Sequence, residues 1–228
     1  MSHASALPYT PGPSWKLPAS LLILSAVPVA AGIVRLMQLA GAEISADNAR
    51  FIAVPGPVVL HILCAALFCV LGAFQFDTAL RQRYPRWHRL SGRVAAPCGV
   101  LAALTGVWMT AAYPIPTALQ GGLLYGARIA AGVSMAGALS LSLSAVLQGR
   151  IDAHRAWMIR AYALGQGAGT QVLILLPLSL IAGAPTYFLR DVLMASAWGL
   201  NLVVAEWLIR RRLPAHLTHG KRFRCNAT

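Results

Sequence analysis

The stretch Pro57–Thr78, PVVLHILCAALFCVLGAFQFDT, holds one histidine and, near its end, one carboxylate. A helix rising ~1.5 Å per residue needs about 20 apolar residues to cross a hydrocarbon core of ~30 Å. This stretch is long enough. It gives way to Arg81-Gln82-Arg83-Tyr84-Pro85-Arg86-Trp87-His88-Arg89, a band of cations and interfacial aromatics of the kind that meets lipid headgroups. Working outward, apolar segments recur at approximately 17–40, 57–78, 94–113, 123–147, 161–183 and 190–209. Turn residues separate them, among them Pro55-Gly56-Pro57, Pro114-Ile115-Pro116, Gly121-Gly122 and Gly183-Ala184-Pro185. No segment alternates with the period of two that a barrel strand requires. The expected fold is all-α: a polytopic transmembrane bundle of six helices.

Composition agrees with that reading. Hydrophobic residues make up 57% of the chain and charged residues 11%, against roughly 25% charged in an average soluble domain. The net charge of +13 would suggest nucleic acid in a soluble protein. Here the cations lie between apolar runs, so they report topology and no nucleic-acid partner is expected. Arg81, Arg83, Arg86, Arg89 and Arg93 follow span two; Arg150, Arg155 and Arg160 follow span four; Arg210, Arg211, Arg212, Lys221, Arg222 and Arg224 follow span six. The opposite connections are poor in positive charge, which predicts both termini in the cytoplasm.

The chain divides into a flexible tail at 1–16, the membrane domain at 17–212 and a basic cytoplasmic tail at 213–228. Residues 17–40 read as an uncleaved first span, since the run continues past the small residues Ala30-Ala31-Gly32. A bacterial inner membrane is the expected location and the lipid bilayer the expected surroundings. Cys64, Cys69, Cys98 and Cys225 form no CxxC or zinc-like spacing and read as small packing or tail residues.

Three histidines carry the chemical interest. His61 lies early in span two. His88-Arg89 with Arg93, and His154-Arg155 with Arg160, form two similar motifs just before spans three and five. His61 is about a bilayer away from the other two, because the twenty residues to Arg81 cover ~30 Å of helix. His88 and His154 can meet on the cytoplasmic side, and paired imidazoles suit haem b iron; Met158 is an alternative axial ligand. Arg89, Arg93, Arg155 and Arg160 suit haem propionates, a quinone headgroup or lipid phosphate. On the outer side Arg35, His61 and Arg128 form a candidate polar pocket, with Arg190 and Asp191 nearby. Ionisable groups inside a membrane are functional candidates by default, while snorkelling to the headgroups is the plainer account of Arg35. Gln166 and Thr170 share a helix face and read as interhelical hydrogen-bonding residues or as the lining of a polar cavity, with Gln171 beside them. Glu206 is expected to pair with one of the many arginines near it. His216 and His219, in the basic tail, read as solvated.

His61, Gly72-Ala73-Phe74-Gln75-Phe76, the run Arg81 to Arg93 and His154-Arg155-Ala156-Trp157-Met158-Ile159-Arg160-Ala161-Tyr162 resemble a family of bacterial and fungal predicted membrane proteins of unknown function. The resemblance covers most of the chain from about Arg35 to Arg210. It implies a further basic residue where this sequence has Gln171, and no established activity. A looser likeness is to the haem-binding helical bundles of the cytochrome b561 and ferric reductase kind. That likeness implies histidine ligands on different helices; this chain departs from the two-haem pattern because His61 lacks an outer histidine partner.

Two readings of function follow. One is a membrane redox protein in which His88 and His154 ligate haem b and a quinone or another membrane carrier exchanges electrons. The other is a cofactor-free protein that handles lipid or a small solute, with an assembly subunit as a third possibility. No Ser-His-acid, HExxH or paired-carboxylate pattern is evident, so hydrolytic chemistry is not expected.

Overall fold

Each apolar run becomes a helix because a backbone in hydrocarbon must satisfy its own hydrogen bonds. The computed structural model describes residues 15–41, 43–45 and 48–212. All regular structure among them is helical: α1 (Lys16–Gly41), α2 (Ala49–Ala53), α3 (Pro55–Gln75), α4 (Thr78–Arg83), α5 (Pro85–Ala112), α6 (Gly122–Leu147), α7 (Ile151–Gly165), α8 (Gly167–Ala182) and α9 (Tyr187–Arg212). Six crossings result, from α1, α3, α5, α6, α7 with α8, and α9. Their outward faces are apolar; Ile181 is 87% and Leu180 77% exposed, an arrangement that suits lipid and not water.

Helix ends differ from the apolar boundaries in an informative way. Helix α5 starts at Pro85 and α7 at Ile151, well before the apolar runs at 94 and 161. Both His-Arg motifs therefore lie inside helices. Hydropathy marks the edge of the hydrocarbon, whereas Pro85 in the first turn, with its fixed φ, marks the start of the helix. Two short helices cover the ends. In α4 the Asp77 carboxylate accepts from the backbone N–H of Ala79 (2.9 Å) and Leu80 (3.1 Å), a side-chain cap worth about 1 kcal/mol.

The face where α1 begins, here the terminal face, is marked by stacked rings. Trp15 meets Phe74 and Phe74 meets Trp87, each nearly edge-on, at centroid distances of 6.3 and 6.0 Å. The opposite, distal face carries α2 and the connection between α5 and α6. The expected tails lie mostly outside the described residues, with His216, His219 and Cys225 among them.

The fifth crossing is broken at Gln166. Helix α7 packs on α6, α9 and α3, whereas α8 packs on α9 and α1. In the terminal half, α7 thus fills the space between α3 and α6. There Phe68, Ala95, Met135, Ala138, Leu139, Ala161, Tyr162 and Leu164 form the buried core. Glycines make this possible by letting large side chains lie against backbone. A Cβ on Gly99 would stand 2.7 Å from Phe68, and one on Gly72 would collide with the Tyr162 ring. Tyr162 in turn donates from its hydroxyl to the Cys69 carbonyl at 2.7 Å. Beyond Gln166 the chain turns toward α1, pressed close enough that a Cβ on Gly169 would strike the Leu24 carbonyl. The distal halves of α3, α5 and α6 are left without a central helix to cover them.

Candidate functional site

The space left by that turn is a cavity of about 750 Å³ in the distal half. Ala65, Ala66 and Phe68 of α3, Ala103 and Met109 of α5, and Ala131 and Met135 of α6 make its walls apolar. Its charged lining comes from Arg50, Arg128 and Arg190, and no Asp or Glu lines it among the described residues.

Each arginine is held differently. Arg128 donates to the Gln120 side chain. Arg190 donates to the Ala118 carbonyl at 2.7 Å and to the Leu119 carbonyl, while its buried Nε has no partner. Arg50 lies over the Phe51 ring, 4.5 Å from its centroid. Arg50, Arg190 and Asp191 all lie within electrostatic range of Arg128. Asp191 is only 4% exposed and accepts from the Leu124 N–H at 3.2 Å, so it caps α6 in place of Gly121. A Cβ at Gly121 would collide with that carboxylate. The helix N-terminus thus shares the Asp191 carboxylate, and the three guanidinium groups outnumber it by two. A cluster of like charges beside an apolar space is costly unless hydrated or matched by an anion.

His61 lines the same cavity. Its Nδ1 stands 2.8 Å from the Ala102 carbonyl and 3.2 Å from Thr105 Oγ1. A carbonyl only accepts, so Nδ1 carries the proton and neutral His61 keeps its lone pair on Nε2. Of the expected outer group, His61 and Arg128 share the cavity. Arg35 does not line it; its guanidinium lies over the Phe51 ring, 4.7 Å from the centroid. That cation–π contact gives Arg35 a partner within the protein.

At the deep end lies Gln166, 4% exposed. Its Oε1 accepts from Ser25 Oγ at 3.0 Å, and its Nε2 is buried with no partner. An unpaired buried N–H costs about 1–3 kcal/mol. The other polar groups of this crossing are satisfied. Thr170 donates to Asn201 Oδ1 (2.9 Å), Asn201 donates to the Ala163 carbonyl (2.9 Å), and Gln171 donates to the Met194 carbonyl (3.1 Å). The expectation of interhelical bonding holds for Gln166 through Ser25 and for Thr170 through Asn201.

The two His-Arg motifs lie on the terminal face, away from this cavity. His154 Nδ1 is 2.8 Å from Ser142 Oγ and 3.1 Å from the Ser142 carbonyl. His88 is half-buried, with a buried, unpartnered Nδ1, and lies within electrostatic range of His154, Arg81 and Arg89. Arg160 is committed to Glu206 through contacts of 2.5 and 3.1 Å and stacks over Trp157. Arg155 makes an exposed pair with Asp152 at 3.4 Å. Arg89 and Arg93 are exposed. Among the described residues no group of three or more His, Cys, Asp or Glu side chains converges to hold a metal ion. Cys64 and Cys98 have their thiols within reach of each other, a contact between α3 and α5 that spacing did not reveal.

Residues 58–209, spanning α3 to α9, match the family model described as Predicted membrane protein (DUF2306). The chain belongs to that family. With six apolar helices of spanning length, this family member is an integral, multi-pass membrane protein. No curated protein and no solved structure matches it.

Sequence reasoning missed Arg50 and Phe51, whose loop was read only for topology. It placed Arg190 nearby without a role. The glycines on either side of Gln166 were the available sign of a helix break.

Proposed function

We propose that this protein binds and handles an amphiphilic anion, without a cofactor, in its distal-half cavity. The observation that carries the reading is the pairing of a large apolar space with Arg50, Arg128 and Arg190, which no carboxylate among the described lining residues balances. A carboxylate or phosphate headgroup supplies the missing anion, and charge-assisted hydrogen bonds to guanidinium are the strong ones. The apolar body of the ligand lies against the alanines, Phe68 and Met135. Such a site suits a lipid-derived acid, whereas a small inorganic ion would leave the deep end empty.

Binding to the detergent-purified protein tests this with four probes: octadecanoate, a lysophosphatidate, octadecanol and inorganic phosphate. The two anionic amphiphiles should bind saturably, and Arg128→Gln with Arg190→Gln should weaken both about tenfold or more. Octadecanol binding as tightly as octadecanoate would contradict a role for the arginines. Tight binding of inorganic phosphate alone would identify a free anion as the ligand and overturn the amphiphile.

A haem b shared by His88 and His154 is the second reading, favoured by the unpartnered His88 Nδ1 within electrostatic range of His154. Ser142 holds His154 Nδ1 and leaves its Nε2 for a metal, the usual outer support of a ligating imidazole. Of the arginines assigned to propionates, Arg160 is taken by Glu206. A bound haem would supply one-electron chemistry. A reduced α-band in the visible spectrum, lost in the His88→Ala/His154→Ala double variant, is the result this reading requires; a flat spectrum after expression with ample haem would sink it.

A further inference from the structure

We propose that the ligand carries a second polar group deep in its chain, an oxygen about 15 Å from its anionic end, and that Gln166 selects for it. This inference rests on the amphiphile reading of the cavity. The observation behind it is a specific vacancy in hydrogen bonding. Gln166 is buried at the break between α7 and α8, lines the cavity, and has one end of its amide satisfied by Ser25. Its Nε2 has no acceptor. The Tyr162 hydroxyl oxygen interacts with the same amide without completing a hydrogen bond to Nε2, and its own proton goes to the Cys69 carbonyl. The nearby side-chain amides of Gln171 and, on α9, Asn201 are committed elsewhere. A ligand oxygen is the group that completes the set.

Depth follows from helix arithmetic. Met135 is seven residues beyond Arg128 on α6, or ~10 Å along the axis. Its Cε would lie 3.3 Å from a Cβ on Gly165, which puts Gln166 level with Met135. Arg128 reaches the other way, to Gln120 ahead of α6, adding about one turn, ~5 Å. At roughly 1.2 Å per bond of extended chain, ~15 Å is about twelve bonds. A long-chain acid with a hydroxyl or keto group near its twelfth carbon spans the two sites. An unsubstituted chain of the same length leaves Gln166 unpaired. A hydroxyl both donates and accepts, so it suits the amide whichever end faces it.

The test compares octadecanoate, 2-hydroxyoctadecanoate and 12-hydroxyoctadecanoate by binding to the purified full-length protein in detergent. Wild type should bind the 12-hydroxy acid about tenfold more tightly than the other two. Gln166→Leu should erase that preference while keeping octadecanoate binding. Equal binding of all three by wild type, or a 12-hydroxy preference that survives Gln166→Leu, would overturn the inference and leave the amphiphile reading standing. Binding of none of the three would overturn both. If Gln166→Leu does not fold, the wild-type comparison decides by itself: the 12-hydroxy acid must bind more tightly than both octadecanoate and the 2-hydroxy acid.

Discussion

The two halves of this bundle are built from the same residue types and behave differently. In the terminal half α7 lies between α3 and α6, and Phe68, Met135, Leu139 and Tyr162 close-pack against glycine backbones. In the distal half the same crossing has turned away to α1 and α9, and about 750 Å³ is left open. Composition does not separate the halves; the path of one helix does. Packing fills the first half, and the second keeps an open, arginine-lined space.

The sharpest way to break this comparison is to truncate a side chain in each half. Leu139→Ala in the packed half, a core residue that does not line the cavity, should lower stability by about 2–5 kcal/mol, the usual loss for a buried leucine. Met109→Ala, on the cavity wall, should lower it by less than about 1 kcal/mol, since a side chain facing a void has fewer contacts to lose. Denaturant unfolding in detergent measures both. Equal losses would mean that the distal half is packed as tightly as the terminal half.

Asp191 sharpens the electrostatic side of the contrast. Asp191→Ala removes the cap on α6 and should cost about 1–2 kcal/mol. Asp191→Asn keeps an acceptor for the Leu124 N–H but deletes the carboxylate that faces Arg128. It should raise the affinity for octadecanoate several-fold. An unchanged or weaker affinity would show that the arginine charge does not govern binding.

The smallest effect belongs to the terminal half. Arg160 and Glu206 are paired at 2.5 Å, with side chains 26% and 37% exposed. An ion pair this accessible is worth under about 1 kcal/mol. Arg160→Gln should shift thermal unfolding only slightly and leave octadecanoate binding unchanged. A loss of binding would couple the two faces and contradict their separation.

Six crossings were legible in the sequence because long apolar runs need only length and hydropathy to be read. So was an arginine partner for Glu206, because the charge density around it left few alternatives. The outer polar group was legible in part. His61 and Arg128 do line one cavity, whereas Arg35 spends its charge on the Phe51 ring, a residue outside every span. The break at Gln166 was harder to see. The apolar run continues through it, Gly165 and Gly167 are its faint local sign, and the close approach of Gly169 to α1 that accompanies it is a tertiary contact. The unpaired Gln166 amide is equally non-local, since its partner Ser25 and its neighbour Tyr162 come from distant parts of the chain.

The most direct test of the central claim, that the distal half is built around a ligand, is displacement of a fluorescent long-chain carboxylate from wild type and Ala65→Trp. Ala65 lines the cavity, so an indole there occupies the space without removing a charge. With thermal unfolding no lower than that of wild type, Ala65→Trp should abolish saturable binding. Undiminished binding to a folded Ala65→Trp protein would place the ligand elsewhere and contradict the account.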